Sequence, residues 1–572
     1  MRAAPYRTLI DPLVARATTE PDRTVLTLLR EDGTDEALSA GDLHRAAQAR
    51  SGGFAHHGVG VDDVVVLAIG SLRPLIETFF GALYCGAVPT ISSLASDRLS
   101  PTVQRERLAA LVRSCDARAV VGGPAQSDLL RTLERDVPAV LCCDELDDAG
   151  NDAREAAHRS PDDLAFLQFS SGSAGAQKGI PHTHGCVLRY LESKREAGVD
   201  GPAGLQSDDV IVSWLPLYHD LGLVSGVLAP LVLGLRAVLI SPLHWVRDPG
   251  VLLRAIYTYR GTACYMPNFA LNHCARAVRD RDIAGVELTS LRQVVIGAEP
   301  VQTESLRLFA ERFRPYGLPD SALRAGYGMA EMVEGVTVTP RGRPPRVDWV
   351  ERASLEKAHR ATPAGGPGDG SVAVVSCGPP MAGAEVRIVS DSGAALPDRT
   401  VGEILIRAEF MFGGYYRAPE LTARSFCDGW FQSGDLGYLV DGELYVTGRK
   451  TDRIIFGGRN LHPEELERIA DATPGLAPGR SVAFGLPDPA LGSDRIVMVC
   501  EAIAAADADQ QLSVERTLRR EVMQQIGVAL GDVRVVERGW VVKTSSGKLA
   551  RPENRRKYLE RWKPVDGNGA AR

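Results

Sequence analysis

Cysteine is scarce and carries no pattern. Ten residues are scattered over 572, Cys142 and Cys143 are merely adjacent, and no CxxC pair is present. That excludes a zinc ribbon or a dithiol redox motif and leaves reduced thiols. The N-terminus, Met1-Arg2-Ala3-Ala4-Pro5, lacks the apolar stretch of a secretory signal, so a cytoplasmic protein is expected. Neither sign of charge dominates: 65 basic and 72 acidic residues give a net charge of -7. Nucleic acid or an anionic membrane would meet no general attraction. No internal repeat appears. Only one run, residues 221–240, is apolar over a length that would cross a bilayer. Gly222, Gly226, Pro230, Gly234 and Arg236 interrupt it, so it reads as a buried helix and strand and not as an integral membrane segment.

What is present is an ordinary globular composition, 44% apolar and 24% charged, in a chain long enough for several folding units. Thr24–Leu29 and residues 63–69 are short β-rich apolar runs. Residues 74–84 read as a helix with Pro74 at its start and Gly86 just past its end, and residues 86–91 as the next strand. This alternation continues to about residue 300 and predicts α/β layers with mainly parallel strands. Residues 341–369 break the pattern with Pro, Gly and charge, and 365–370 should be flexible. Residues 386–446 read as a smaller β-rich unit with hairpin turns at Asp428-Gly429 and Asp441-Gly442. The chain then restarts with a strand near 453–456 and a helix from Pro463, whose Glu464, Glu465 and Glu467 suit its positive end. The boundary is expected at Arg449-Lys450-Thr451-Asp452.

Five segments carry chemistry. Gln168-Phe-Ser-Ser-Gly-Ser-Ala-Gly-Ala-Gln-Lys-Gly179 combines glycines, hydroxyls and Lys178 in a loop suited to phosphate, without the closing GK[ST] of a Walker motif; a plain linker reads the same. Trp214-Leu-Pro-Leu-Tyr-His-Asp-Leu-Gly222 puts His219 beside an acid, although adjacent residues rarely face each other and a structural histidine is commoner. Gly297-Ala-Glu-Pro300 precedes Gly326-Tyr-Gly-Met-Ala-Glu331, which offers a ring for base stacking and an oxygen ligand for Mg²⁺. Gln432-Ser-Gly-Asp435 offers a carboxylate to ribose hydroxyls, or is only a turn. Lys543-Thr-Ser-Ser-Gly-Lys548 places a lysine on a Gly-flanked loop near the C-terminus.

In this order the five segments resemble the adenylate-forming superfamily of acyl-CoA synthetases, peptide-synthetase adenylation domains and luciferases, over nearly the whole chain. Trp214-Leu-Pro-Leu-Tyr-His-Asp-Leu-Gly222, Gly297-Ala-Glu-Pro300 and an insertion at residues 341–373 look most like the fatty acyl-AMP ligases. The resemblance implies an α/β fold: a large N-terminal domain, residues 1–449, of two α/β layered subdomains plus a β-rich one, and a small mobile α+β domain, residues 450–572. It implies an enzyme using ATP and Mg²⁺ that joins a carboxylic acid, a long fatty or bulky natural-product one, to AMP, releases pyrophosphate and passes the acyl group to a thiol. An acyl carrier protein is the expected acceptor. Coenzyme A is the alternative, and a catalytically inactive nucleotide- or acid-binding homologue is the remote one.

By the same resemblance, Ser170, Ser171, Gly172, Ser173, Gly175 and Lys178 hold phosphates. Gly297, Ala298, Glu299, Gly326, Tyr327, Gly328 and Met329 frame the adenine. Glu331 binds the metal, and Asp435 and Arg449 hold the ribose. Lys548 bridges carboxylate and α-phosphate, His219 sits near the acyl carboxylate, Trp214, Met266 and Phe269 line the acyl tunnel, and Thr451 is the hinge. The chain departs from the pattern at Ala174, Gln177, Thr451 and Val542. Ala174 replaces a threonine whose lost hydrogen bond is worth about 0.5–1.5 kcal/mol.

Overall fold

The computed structural model describes residues 6–93, 101–148, 155–170, 178–196, 204–368, 370–456, 459–488, 493–505, 507–544 and 547–562. Two twisted, mostly parallel sheets form the large body. In one, six strands lie in the order Ala139–Cys142, Ala119–Gly122, Val64–Ala68, Val88–Ile91, Leu164–Ser170, Lys178–Thr183. Only its last pair is antiparallel. In the other, eight strands lie in the order Thr337–Val338, Leu323–Tyr327, Gln293–Gly297, Ala263–Pro267, Val210–Ser213, Arg236–Ile240, Thr24–Leu29, Asp35–Ser39. Helices supply the crossovers that parallel pairs require. The expected helix runs Leu72–Cys85, two residues earlier than Pro74 suggested. Gly86 closes it in the left-handed region, at φ 80°.

The run at 221–240 is buried inside this body. It forms a π-helix, Leu221–Leu228, continuing into Ala229–Leu233 and the strand Arg236–Ile240. Among the described residues no helix is long and apolar enough to cross a membrane. All ten cysteines are free thiols.

The β-rich unit is a five-stranded sheet: Ala384–Val389, Gly402–Ala408, Trp430–Val440 and Phe426–Cys427, with Glu443–Arg449 also on Trp430–Val440. Both Asp-Gly turns close its hairpins. Asp428 and Gly429 stand at φ 49° and 76°, Asp441 and Gly442 at 51° and 76°, the paired positive values of a type I′ turn. The Pro-, Gly- and charge-rich segment 341–369 is more regular, ahead of residues 365–370, than its composition suggests. Val347–Glu351 pairs antiparallel with Ser371–Val375, and the helix Arg352–Ala358 lies between them.

After Arg449 comes a three-stranded sheet, Leu476–Asp488, Ser493–Ala502 and Asp532–Val536. The helices Pro463–Ala472, Ala508–Ile526 and Arg551–Arg561 accompany it. Its apolar cluster runs from Ile454 to Val533 and takes no buried residue from before Ile454. The main core ends at Leu444.

Candidate functional site

Four neighbouring strands of the eight-stranded sheet, Leu323–Tyr327, Gln293–Gly297, Ala263–Pro267 and Val210–Ser213, run parallel and end on one side. The carboxyl ends of such strands are where open α/β sheets bind ligands. A cavity of about 1630 Å³ lies there. Tyr327 and Gly297 close their strands, Phe269 follows Pro267, and His219 follows Ser213 by a short loop. All four line the cavity. Gly328 has no room for a side chain, because a Cβ would stand 2.0 Å from the Glu334 carbonyl oxygen.

The cavity also gathers Lys178, Ala298, Glu299, Gly326, Gly328, Met329, Glu331, Asp435, Arg449, Thr451 and Lys548. Ser171, Gly172, Ser173, Ala174, Gly175 and Gln177 lie outside the described residues, and Ser170 ends a strand. Trp214 and Met266 are buried behind the wall. Trp214 stacks on Trp245 at 3.5 Å between ring centroids, and Trp245 is the one that lines the cavity.

Asp435 is the polar hub. Its Oδ2 accepts the Tyr327 hydroxyl at 2.8 Å and its Oδ1 accepts Arg449 Nε at 3.0 Å. Burial raises its carboxyl above the ordinary range, against the pull of Arg449. Glu331 accepts the Tyr415 hydroxyl at 2.8 Å, and Lys178 sits over the Tyr415 ring at 5.2 Å from its centroid. Glu299 turns inward, and its Oε1 accepts the Phe269 amide at 2.6 Å, satisfying a free N–H at a helix start.

His219 and Asp220 do meet, contrary to the expectation for adjacent residues. Asp220 is the N-cap of the π-helix and its Oδ1 takes the Leu221 amide at 2.7 Å. The same oxygen touches His219 Nδ1. The helix start bends the chain so that neighbouring side chains converge. Burial pushes the Asp220 carboxyl up, but His219 and the Leu221 amide outweigh it and leave it below the usual range.

Lys548 enters from the C-terminal segment. Thr544 fixes its loop by accepting the Lys548 amide at 3.1 Å and by donating its own amide to the Lys548 carbonyl at 2.7 Å. Gly547, at φ 85°, lets the loop lie against Phe269, where a Cβ would be 3.1 Å from the ring. Burial and Arg449 push the Lys548 ammonium below its ordinary value, while Asp220, Glu299 and Asp435 hold it up. Sequence reasoning missed Asp220, Tyr415 and Trp245. The His219 motif contained the first, and no motif marked the other two.

The chain matches the family model for AMP-binding enzymes over residues 13–416. It is 30% identical to the long-chain-fatty-acid–AMP ligase FadD26 of Mycobacterium marinum, over 95% of this chain and 96% of that protein. It is likewise 30% identical to a 4-hydroxyphenylalkanoate adenylyltransferase of the same species, over 96% of this chain and 91% of the relative. A solved structure from work on fatty acyl-adenylate ligases of E. coli and L. pneumophila superimposes with a TM-score of 0.89 at 28% identity. It covers 98% of this chain and 99% of that one.

Proposed function

The chain belongs to the AMP-binding enzyme family, an adenylate-forming ligase that activates an acid as its acyl-AMP, and from that premise we propose that it then passes the acyl group to the phosphopantetheine thiol of a carrier protein. The observation carrying the site assignment is the meeting, in one cavity, of Lys548 with Asp435, Arg449, Tyr327 and Glu331. The substrate carboxylate attacks the α-phosphate of ATP and pyrophosphate leaves. Lys548 faces the negative charge that builds between them, as a group already held in place. Tyr327 stands beside the base. Asp435 and Arg449 receive the ribose, because each carboxylate oxygen keeps a lone pair beyond its present bond. Lys178 and residues 170–177 meet the outer phosphates. Glu331 offers the kind of carboxylate oxygen a hard cation takes. Magnesium bound there would neutralise phosphate charge.

The acceptor is argued from the insertion. Arg352 binds both oxygens of Glu465 at 2.8 and 2.9 Å, and Arg459 Nε donates to Glu356 at 2.7 Å. All four side chains are less than 20% exposed. These pairs tie the insertion to the small domain and restrain the movement that a diffusing coenzyme A needs. The acid is long-chain fatty or a bulky natural-product one; of two equally similar relatives, one is named for long-chain fatty acids and the other for 4-hydroxyphenylalkanoates. The domain boundary falls after Arg449, with Thr451 the hinge and residues 450–572 the moving domain. ATP–pyrophosphate exchange over an acid panel, followed by transfer to a phosphopantetheinylated carrier or to coenzyme A, tests this. Exchange without acid, or transfer to coenzyme A alone, overturns it.

A further inference from the structure

The deep wall of the cavity is charged where an alkyl tunnel would be apolar. Lys194, Glu334, Tyr190, Tyr265, Arg324 and Gln293 all line it, and all are at most 7% exposed. Lys194 Nζ bonds Glu334 Oε1 at 2.6 Å and Ser225 Oγ at 2.5 Å, and lies 4.6 Å from the centroid of the Tyr265 ring. Ser225 donates on to Glu334 at 2.7 Å. Arg324 reaches Gln293 Oε1. The Gln293 side-chain amide nitrogen is buried and bonds nothing among the described residues.

Position along the cavity follows from shared neighbours. Asp220 is within electrostatic reach of Lys548 and also of Glu334 and Tyr190, and Gln293 opens the strand that Gly297 closes, both lining the cavity. Asp220 caps the π-helix that carries Ser225. An acid with its carboxylate at Lys548 that follows the face of Gly297, Val295 and Gln293 back toward the start of that strand reaches the wall that Gln293 lines. A buried ion pair is seldom better for stability than apolar side chains of the same size, so packing alone gives little reason to keep one on a cavity wall. The Lys194–Glu334 pair is neutralised within itself, and Arg324 is taken up by the Thr339 carbonyl and Gln293 Oε1. The free Gln293 N–H calls for an oxygen.

Resting on the adenylation reading above, we propose that this wall is a polar subsite selecting acids that carry an uncharged hydroxyl or carbonyl away from the carboxylate, in preference to plain alkanoic acids. The oxygen accepts a hydrogen bond from Gln293, and a hydroxyl donates one to Glu334 or to the Tyr265 oxygen. An unsubstituted chain leaves the Gln293 amide N–H without a partner, which is how a site built for an oxygen rejects its absence.

The test is ATP–pyrophosphate exchange by the full chain on matched acids: decanoic acid against its ω-hydroxy derivative, and phenylpropanoic acid against its para-hydroxy derivative. The oxygenated member of at least one pair should have the higher kcat/KM by about tenfold or more. Gln293→Leu should bring that ratio close to one. Gln293→Met serves as the second variant should leucine impair folding. Preference for the plain acid, or none, in both pairs overturns the subsite and leaves adenylation standing. A wild-type ratio that survives in a folded Gln293 variant also overturns it. Exchange with none of the four acids also overturns the subsite, since neither oxygenated acid is then taken, and leaves adenylation to the wider acid panel.

Discussion

The large body's share of the cavity and the small domain's share are built differently. The body's wall sits on the ends of parallel strands whose side chains belong to one continuous core. Lys548 sits on a loop of a unit with a separate core, and the contacts joining the two are largely polar: Arg352 with Glu465, Arg459 with Glu356, and Lys548 toward Asp220 and Asp435. Packed apolar interfaces do not deform gradually, whereas this joint is held by a few named ion pairs and opens only when those pairs are broken. The proposed roles, nucleotide placement on a rigid wall and a lysine carried by a moving domain, would both follow from the two separate apolar cores.

The largest expected break in this comparison is Lys548→Ala. It should cut adenylation by about 10²–10³-fold, the loss of one preorganised charge, and leave transfer from pre-made acyl-adenylate far less affected. Equal losses in both half-reactions would mean that the small domain serves one pose only. Acid should separate the two regions next. His182 and His184 are buried in the body, and burial pushes each imidazole down to about 4. Asp220 faces His182, while Arg159, Asp163 and Asp11 face His184. His184 Nδ1 accepts the Leu9 amide at 3.1 Å and cannot do so when protonated. The folded state refuses a proton that the unfolded chain takes near pH 6.5. Stability is therefore intact above that pH and falls as pH drops toward 4, by up to about 3 kcal/mol per histidine. The small domain has one histidine, His462. Limited proteolysis followed by mass spectrometry should find the body opening first as pH falls. First cuts confined to residues beyond 450 would reverse the assignment.

Local signals explain what was legible. β-branched runs bounded by turn residues gave the strands, and Asp-Gly pairs gave two hairpins at the right residues. The strands were readable because a doubly covered parallel strand is a continuous apolar run. What could not be read depends on separation in the chain. Lys194 and Glu334 are 140 residues apart, and no periodicity joins them. Trp245 has no motif around it and takes the wall because Trp214 stacks behind it. The π-helix at Leu221–Leu228 looks like any apolar helix in sequence, and its start is what turns His219 onto Asp220. In the insertion, turn-forming composition hid a strand, a helix and a second strand, because Gly and Pro mark where a chain turns and say little about what pairs between the turns.

Loosening the polar joint should be gentler. Arg352→Ala combined with Arg459→Ala removes both ties between insertion and small domain. Coenzyme A should gain as acceptor by about tenfold relative to the carrier thiol, a coupling of ordinary size. An unchanged ratio of the two thioester rates would show that the ties hold the insertion in place and restrain nothing.

The smallest effect concerns Thr451, where the two regions join. On one side Lys450 is held to the body, with Nζ 2.9 Å from Asp391 and 3.0 Å from Glu403. On the other, Asp452 is held to the small domain by Arg551 at 2.6 Å, and Arg551 in turn binds Glu464 and Glu467. Between the two tethers stands Thr451, whose hydroxyl bonds Asp452, the next residue. A rotation of one region against the other that keeps both tethers must be absorbed in the backbone of this residue and its two peptide links. Proline fixes φ there and biases Lys450 toward extended conformations. Thr451→Pro should slow thioester formation by about fivefold, equivalent to about 1 kcal/mol of barrier, and leave pyrophosphate exchange nearly intact. Stopped-flow measurement of each half-reaction reads the two separately. If transfer proceeds at the wild-type rate, the turn is made elsewhere, one of the tethers must open during it, and Lys450→Ala, which frees the body side, should then slow transfer less than Asp452→Ala or not at all.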